Sequence, residues 1–352
     1  MRIASVARAL PPHRYSQAEI SAALASVWSG RPSVLARLSS LHGNTRVEHR
    51  HLSLPIESYL QRKTFGETND AWIRVSQELG ERAVSDALAR AGLGPRDVDL
   101  ILAISVTGIA SPSLEARLAN RLGFRSDVAR LPIFGLGCVG GAAGLSRAAD
   151  YVKAYPDRVA VLLSVELSSL TFHPEDVSLA NVISAGLFGD GAAAVVVVGE
   201  ERAARMGLEA PRIEATRSVF YPDTEDLMGW RISESGFRIV LSPDVPGHAR
   251  EHLGRDALAF LRDCGVEHDE VGAWICHPGG PKVLEAIRDA LELDDAQVAL
   301  SWKALAETGN LSSTSVLLVL EETLATPRPA GTPGVLLAMG PAFCSELVLI
   351  RW

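Results

Sequence analysis

Three stretches of the chain carry residue types suited to nucleophilic chemistry. The first, residues 131–145, reads LPIFGLGCVGGAAGL: an apolar run enters Gly135 and Gly137, then Cys138, then Gly140 and Gly141 before further small residues. Glycines on both sides of a cysteine permit a tight strand-to-helix turn and close backbone approach. Such a turn sets the sulfur at a helix N-terminus, whose partial positive charge favours thiolate over thiol and holds the pKa below the free-cysteine value of about 8.5. Ala142, Ala143 and Gly144 would let that helix pack deeply on a neighbour. The plain alternative is an inert buried cysteine, since cysteine is among the most buried residue types.

The second stretch, residues 274–284, reads WICHPGGPKVL. His277 ends an apolar strand and is followed by Pro278, Gly279, Gly280 and Pro281, a turn shaped by φ constraints. A core histidine bonded to backbone is its plain reading. The third, residues 308–316, reads TGNLSSTSV, with Asn310 between a glycine and small hydroxyl residues. By itself Asn310 reads equally as a helix N-cap. Together the three suit acyl transfer: a thiolate, an imidazole that pairs with it, and an amide that donates to a developing oxyanion.

These residues need a scaffold that brings distant turns together. Short apolar runs at Val98–Ser105, Arg158–Ser164, Ala192–Val198, Gly334–Met339 and Leu347–Ile350 predict strands, and Ala71–Ala91 predicts a helix. Their alternation implies an α/β architecture with parallel or mixed sheet. The second half echoes the first: Val271–Cys276 leads into His277 as Leu131–Gly137 leads into Cys138. An irregular segment, Glu200–Pro243, separates the two, which places a boundary near Arg205 and predicts halves 1–205 and 206–352.

Composition narrows the function classes. The 352 residues are 47% hydrophobic and 22% charged, an ordinary globular balance, and the net charge of -8 argues against nucleic-acid binding. Four cysteines, Cys138, Cys264, Cys276 and Cys344, show no CxxC spacing and make neither a disulfide framework nor a zinc site. The N-terminal residues do not read as a secretory signal, and runs such as Ala192–Val198 are far short of the roughly 20 residues that span a bilayer. The expectation is a cytoplasmic protein with no membrane insertion.

The strings FGLGCVGGAAGL, SVELSSLTF, GLFGDGAAAVVVVG, SPDVPG, CHPGGPKVLEAI, ETGNLSSTSVLLVLEE and MGPAFCSELVLIRW run across nearly the whole chain. In these it resembles the type III polyketide synthases, the chalcone and stilbene synthase-like enzymes of the thiolase-like superfamily. A β-ketoacyl-acyl carrier protein synthase III would instead resemble HQAN and GNTSAAS at the histidine and asparagine. The resemblance implies a thiolase-like fold, a duplicated α-β-α-β-α layered core with mixed central sheets. It also implies a homodimer that takes acyl-CoA and malonyl-CoA as substrates, with no metal or other cofactor. The family's nucleophile, histidine and asparagine fall on Cys138, His277 and Asn310, its aromatic gatekeeper on Phe188, and a second gating position on Ile239. Thr171 and Ser312 fall on a cavity wall and beside the catalytic set, and Glu166 on a buried acid. Ser111 falls where the family reaches into the partner subunit. Trp230 stands where plant members have glycine, and Gly340 and Pro341 hold what is left of a glycine-rich loop. In the segment TRVEHRHLSLP, Arg46, His49 and Arg50 would meet CoA phosphates or form a solvated basic turn.

Among bacterial members the resemblance sets makers of alkylpyrones and alkylresorcinols nearer than the tetrahydroxynaphthalene synthases, which carry a cavity cysteine where this chain has Val106. Two other readings stay open here: a single-step ketoacyl synthase III-like or hydroxymethylglutaryl-CoA synthase-like enzyme, and a catalytically silent acyl-binding paralogue.

Overall fold

The strands of this chain, in order, are β1 (Arg2–Ala9), β2 (His13–Ser16), β3 (His49–Leu52), β4 (Leu100–Ile104), β5 (Ala129–Ile133), β6 (Val159–Leu167) and β7 (Asp190–Val198), followed by β8 (Arg212–Phe220), β9 (Met228–Ser233), β10 (Gly236–Leu241), β11 (Ala273–Cys276), β12 (Pro333–Gly340) and β13 (Cys344–Arg351). They come from a computed structural model that describes residues 1–61 and 63–352. Nine of them form one mixed sheet in the order β11-β12-β13-β8-β1-β7-β6-β4-β5. The runs expected as strands are the central ones: β4, β6, β7 and β12 are buried along their whole length, as continuous apolar sequence requires.

Strand pairing reveals the duplication that the residues only hint at. In the first half β4 runs parallel to β6, β6 antiparallel to β7, and β7 antiparallel to β1. In the second β11 runs parallel to β12, β12 antiparallel to β13, and β13 antiparallel to β8. The halves join where Arg2 of β1 meets Arg212 of β8.

The apolar clusters give the layers. Helix Phe65–Arg90 packs with β1, β4, β6 and β7 on one outer side, and helices Gly254–Asp263 and Pro281–Ala290 pack with β11, β12 and β13 on the other. Helices Gly140–Ala154 and Ser315–Leu324 lie in a central cluster with strands of both halves. The result is α-β-α-β-α. Each buried Leu or Val there contributes about 1.5–3 kcal/mol relative to exposure, before conformational entropy is counted.

Three elements depart from the sequence reading. The expected Ala71–Ala91 helix begins earlier, at Phe65, because Thr64 and Glu67 form a capping box. The apolar run expected to reach Gly137 as a strand stops at Ile133, and Leu131 and Phe134 are 41% and 49% exposed. β5 is the sheet edge and pairs with β4 alone, so its side chains are not covered within the chain. The irregular segment after Glu200 contains β8 and a separate hairpin, β9–β10, in which Trp230 pairs with Ile239.

The central helix depends on its small residues. A Cβ at Gly141 would lie 2.1 Å from the Ser313 carbonyl oxygen, a backbone atom that cannot swing aside. Gly141→Ala is therefore expected to lower unfolding stability by about 2–3 kcal/mol. Denaturant titration measures this, and a loss below half that would mean the central helices are free to slide apart.

Candidate active site

Cys138 stands on the single turn Gly137–Val139 that runs directly into helix Gly140–Ala154. The strand-to-helix turn expected from the glycines is present. Gly137 has φ +54°, and a Cβ there would fall 2.5 Å from the ring of Pro341, so this position needs glycine twice over. The Cys138 Sγ lies 3.7 Å from the Ser312 Oγ, toward which it donates.

His277 follows β11 and remains tied to the sheet, its N–H donating to the Leu337 carbonyl at 2.9 Å. It is 3% exposed, yet neither ring nitrogen has a partner within the protein. Asn310 is fixed by three contacts. Its N–H donates to the Leu187 carbonyl, its Nδ2 donates to the Gly279 carbonyl at 3.0 Å, and its Oδ1 accepts from the Ser312 N–H at 2.7 Å. Its side chain also hydrogen-bonds toward Cys138, which favours the thiolate.

All three side chains line one chamber of about 90 Å³. It is largely apolar, and burial dominates its electrostatics. Burial pushes the Cys138 thiol up to about 11, with Glu166 adding to the rise and Ser312 and Asn310 opposing it. Burial alone pushes His277 down to about 3. Burial thus works against the lowering expected from the helix start and from pairing with His277, and no spacing in the sequence reveals it. Each taken singly, the two groups rest as thiol and neutral imidazole.

Glu166, on β6, is the buried acid beside this chamber. It accepts from the Val106 N–H at 3.1 Å, the Thr107 hydroxyl at 3.0 Å, and the Ser313 hydroxyl. Burial lifts its pKa to about 7 in spite of these donors. A carboxyl raised on folding binds its proton more tightly in the native state. Its contribution is therefore intact below about pH 4.5 and is lost as pH rises to about 7. Wild type is expected to lose stability against Glu166→Gln between pH 4.5 and 7.5, as read by paired denaturant titrations. A constant difference would mean that Glu166 stays ionised throughout.

The remaining expected residues divide. Phe188, Trp230, Ile239, Ser312 and Pro341 line the chamber with Cys138, while Gly340 lies behind it against Val139. Thr171 lines a neighbouring chamber instead, and Ser111 is exposed on the loop before helix Leu114–Leu122, away from this chain's own site. Arg46 is exposed, 3.4 Å from Glu285 and stacked over Trp302. Arg50 contradicts the expectation of a phosphate contact on a basic turn. It is 2% exposed, and its guanidinium is turned inward on the Ala185 and Phe188 carbonyls and Gln17. Several lining residues, among them Ser168 and Met228, escaped the sequence reading. Ser168 sits inside the quoted string SVELSSLTF, and Met228 lies in a hairpin with no signal of its own.

A family model described as Chalcone and stilbene synthases, N-terminal domain, matches residues 3–201, and the corresponding C-terminal domain matches residues 212–352. The chain belongs to the chalcone and stilbene synthase family. It is a type III polyketide synthase, an acyltransferase. It is 54% identical over 351 residues to a 1,3,6,8-tetrahydroxynaphthalene synthase of Streptomyces peucetius subsp. caesius, covering 99% of this chain and 93% of that one. A putative chalcone synthase of Bacillus subtilis is 34% identical, with 99% and 98% covered. The solved 1,3,6,8-tetrahydroxynaphthalene synthase of Streptomyces coelicolor A3(2) superposes with a TM-score of 0.93 at 30% identity, covering 100% of this chain and 99% of that one.

Membership in this family leaves the ketoacyl synthase III-like reading without support. The 54% identity also speaks against setting the tetrahydroxynaphthalene synthases further off on the strength of Val106. Among the described residues no group of three or more His, Cys, Asp or Glu could hold a metal ion, and no helix is long and apolar enough to cross a membrane.

Proposed function

We propose that this polyketide synthase carries its acyl chain on Cys138, in half 1–205, and that His277 and Asn310, from half 206–352, run the condensation. The observation that supports this is the convergence of all three on one chamber, with both His277 nitrogens unengaged. The Cys138 thiol passes its proton to His277, and the sulfur attacks the carbonyl of an acyl-CoA. The carbon–sulfur bond to CoA breaks, and CoA leaves with the proton from the imidazolium. Malonyl-CoA then enters. Its carbon–carboxylate bond breaks, carbon dioxide departs, and the electron pair forms an enolate whose oxygen is held by His277 and the Asn310 amide. The enolate carbon attacks the acyl–Cys138 carbonyl and expels the thiolate, extending the chain by two carbons. Repetition and ring closure give an aromatic or pyrone product. Phe188, Trp230 and Ile239 limit the room for it, and Arg46, exposed as it is, remains the candidate contact for CoA phosphate.

A homodimer in the cytoplasm fits this reading. β5 leaves an unpaired sheet edge bearing exposed Leu131, with exposed Phe134 and Ile109 near it, the kind of edge that invites another chain. A cavity lined by Phe134, Gly135 and Gly137 opens on that side, where a partner's Ser111 loop would close it. Sedimentation is expected to give twice the chain mass.

Mass spectrometry of products from malonyl-CoA with short, aromatic and long acyl-CoAs tests the function. Ring-closed products of two or more extensions are expected. A linear β-ketoacyl thioester from one extension would replace this reading with the single-step one, and no turnover with any starter would favour the silent paralogue.

A further inference from the structure

Helix Leu179–Leu187 ends directly in Phe188, which lines the Cys138 chamber and pairs with Asn310 as an isolated parallel bridge. A helix leaves its last carbonyls without partners of its own, and at a buried end these must be found elsewhere. Here two side chains and one backbone group supply them. The Ala185 carbonyl accepts from Arg50 Nη1 at 2.7 Å, the Gly186 carbonyl from Gln17 Nε2 at 2.7 Å, and the Leu187 carbonyl from the Asn310 N–H at 2.9 Å. Arg50 Nη1 also reaches one residue past the helix, to the Phe188 carbonyl at 2.8 Å. Its Nη2 donates to Gln17 Oε1 at 3.0 Å, so the two capping side chains are bonded to each other.

This arrangement accounts for a buried cation with no anion beside it. Among the described residues no ion pair neutralises Arg50, yet burial lowers its pKa only to about 10, and it stays charged at neutral pH. The negative end of the helix and the carbonyls it presents take the place of a carboxylate, and Asp190 adds attraction from further off. The stem of Arg50 meets the other side of the bridge. Gly309, just before Asn310, has φ +70°, and a Cβ there would lie 2.6 Å from the Leu187 carbonyl oxygen and 3.0 Å from Arg50 Cδ. Arg50 thus braces both chains of the Phe188–Asn310 bridge. Neither it nor Gln17 bonds to the Gly137–Val139 turn that carries Cys138.

We propose that Arg50 is a positioning residue for the condensation. With Gln17 it caps helix Leu179–Leu187, fixes where the chain leaves at Phe188, and through the Phe188–Asn310 bridge holds the Asn310 amide where the enolate oxygen forms. The role rests on Asn310 as an oxyanion donor. A cap that only stabilised the fold would show itself equally at Cys138 and at Asn310, whereas this one acts on Asn310 and leaves the thiol alone.

The test uses the full-length enzyme and two readings: malonyl-CoA decarboxylation, followed as carbon dioxide release, and alkylation of Cys138 by iodoacetamide. Arg50→Met keeps the stem against Gly309 and removes the donors. Its kcat for decarboxylation is expected to fall by about 10–100-fold, the scale of a displacement of about 1 Å in a catalytic group, with KM little changed. Arg50→Lys keeps the charge without the planar fork and should recover part of that loss. Gln17→Met should lower kcat by about 2–10-fold, and it decides the matter if Arg50→Met fails to fold. Alkylation of Cys138 should stay near the wild-type rate in all three. An unchanged kcat overturns the role, as does a rise in KM alone, which would place Arg50 in substrate binding. A parallel fall of decarboxylation and alkylation overturns it too, by reducing Arg50 to a support of the whole fold. Wild type that releases no carbon dioxide would instead refute Asn310 as a donor, and this role with it.

Discussion

Cys138→Ala is expected to abolish starter-dependent extension altogether while malonyl-CoA decarboxylation continues slowly. On the proposed function, removing the sulfur removes the point where the chain waits, so no acyl adduct and no ring-closed product are expected. Decarboxylation needs a different thing: donors at the oxygen where enolate charge collects. His277 hangs from β11 through its own backbone bond, and Asn310 is held by Gly279, Leu187 and Ser312, none of them through Cys138. Their geometry therefore survives the substitution. Carbon dioxide release and product formation are measured side by side. If both vanish together, the sulfur takes part in both steps and the assignment of oxyanion donors is wrong.

His277→Ala should be damaging in a different pattern. Decarboxylation is expected to fall by about 10²–10³-fold, the usual cost of losing one donor at a developing oxyanion. Loading should fall as well, because on the proposed function the imidazole accepts the thiol proton. Burial holds the isolated thiol at about 11, so without a base almost no thiolate exists at neutral pH. In wild type, proton transfer turns two separately costly charges into one pair beside a helix start. Iodoacetamide at pH 6 reads this directly: Cys138 should react faster than the half-buried Cys264 in wild type and slower than it in His277→Ala. Equal rates for the two cysteines in wild type would rule out the activated pair.

The core and the chemistry were legible in sequence for the same reason: both are written locally. Short continuous apolar runs rich in Val and Ile point to interior strands, and β4, β6, β7 and β12 are that. The glycines around Cys138 encode a turn whose shape depends on few other residues. What stayed illegible depends on pairing at long range. The run at Leu131 looks like a core strand, and only its place at the end of the sheet exposes it. Arg50 looks like part of a basic surface turn, and only the fold turns it inward on Ala185 and Phe188. The burial of the thiol stayed hidden likewise, because a helix start is visible in sequence and desolvation is not. The β9–β10 hairpin carries Pro, Gly and charged residues around it, which masked Met228, Gly229, Val240 and Leu241 on the chamber wall.

That hairpin bears on how such an enzyme can change over generations. β9 and β10 hydrogen-bond to each other and to no strand of the nine-stranded sheet, whereas the turns bearing the nucleophile and the imidazole follow strands within it. The part of the chamber wall that Trp230 and Ile239 supply is thus carried apart from the strands that precede Cys138 and His277. Substitutions at Trp230 or Ile239 can drift through bulky and small side chains while the reaction itself is inherited intact. On the proposed function, a lineage built this way can vary the room for product separately from the residues that make it.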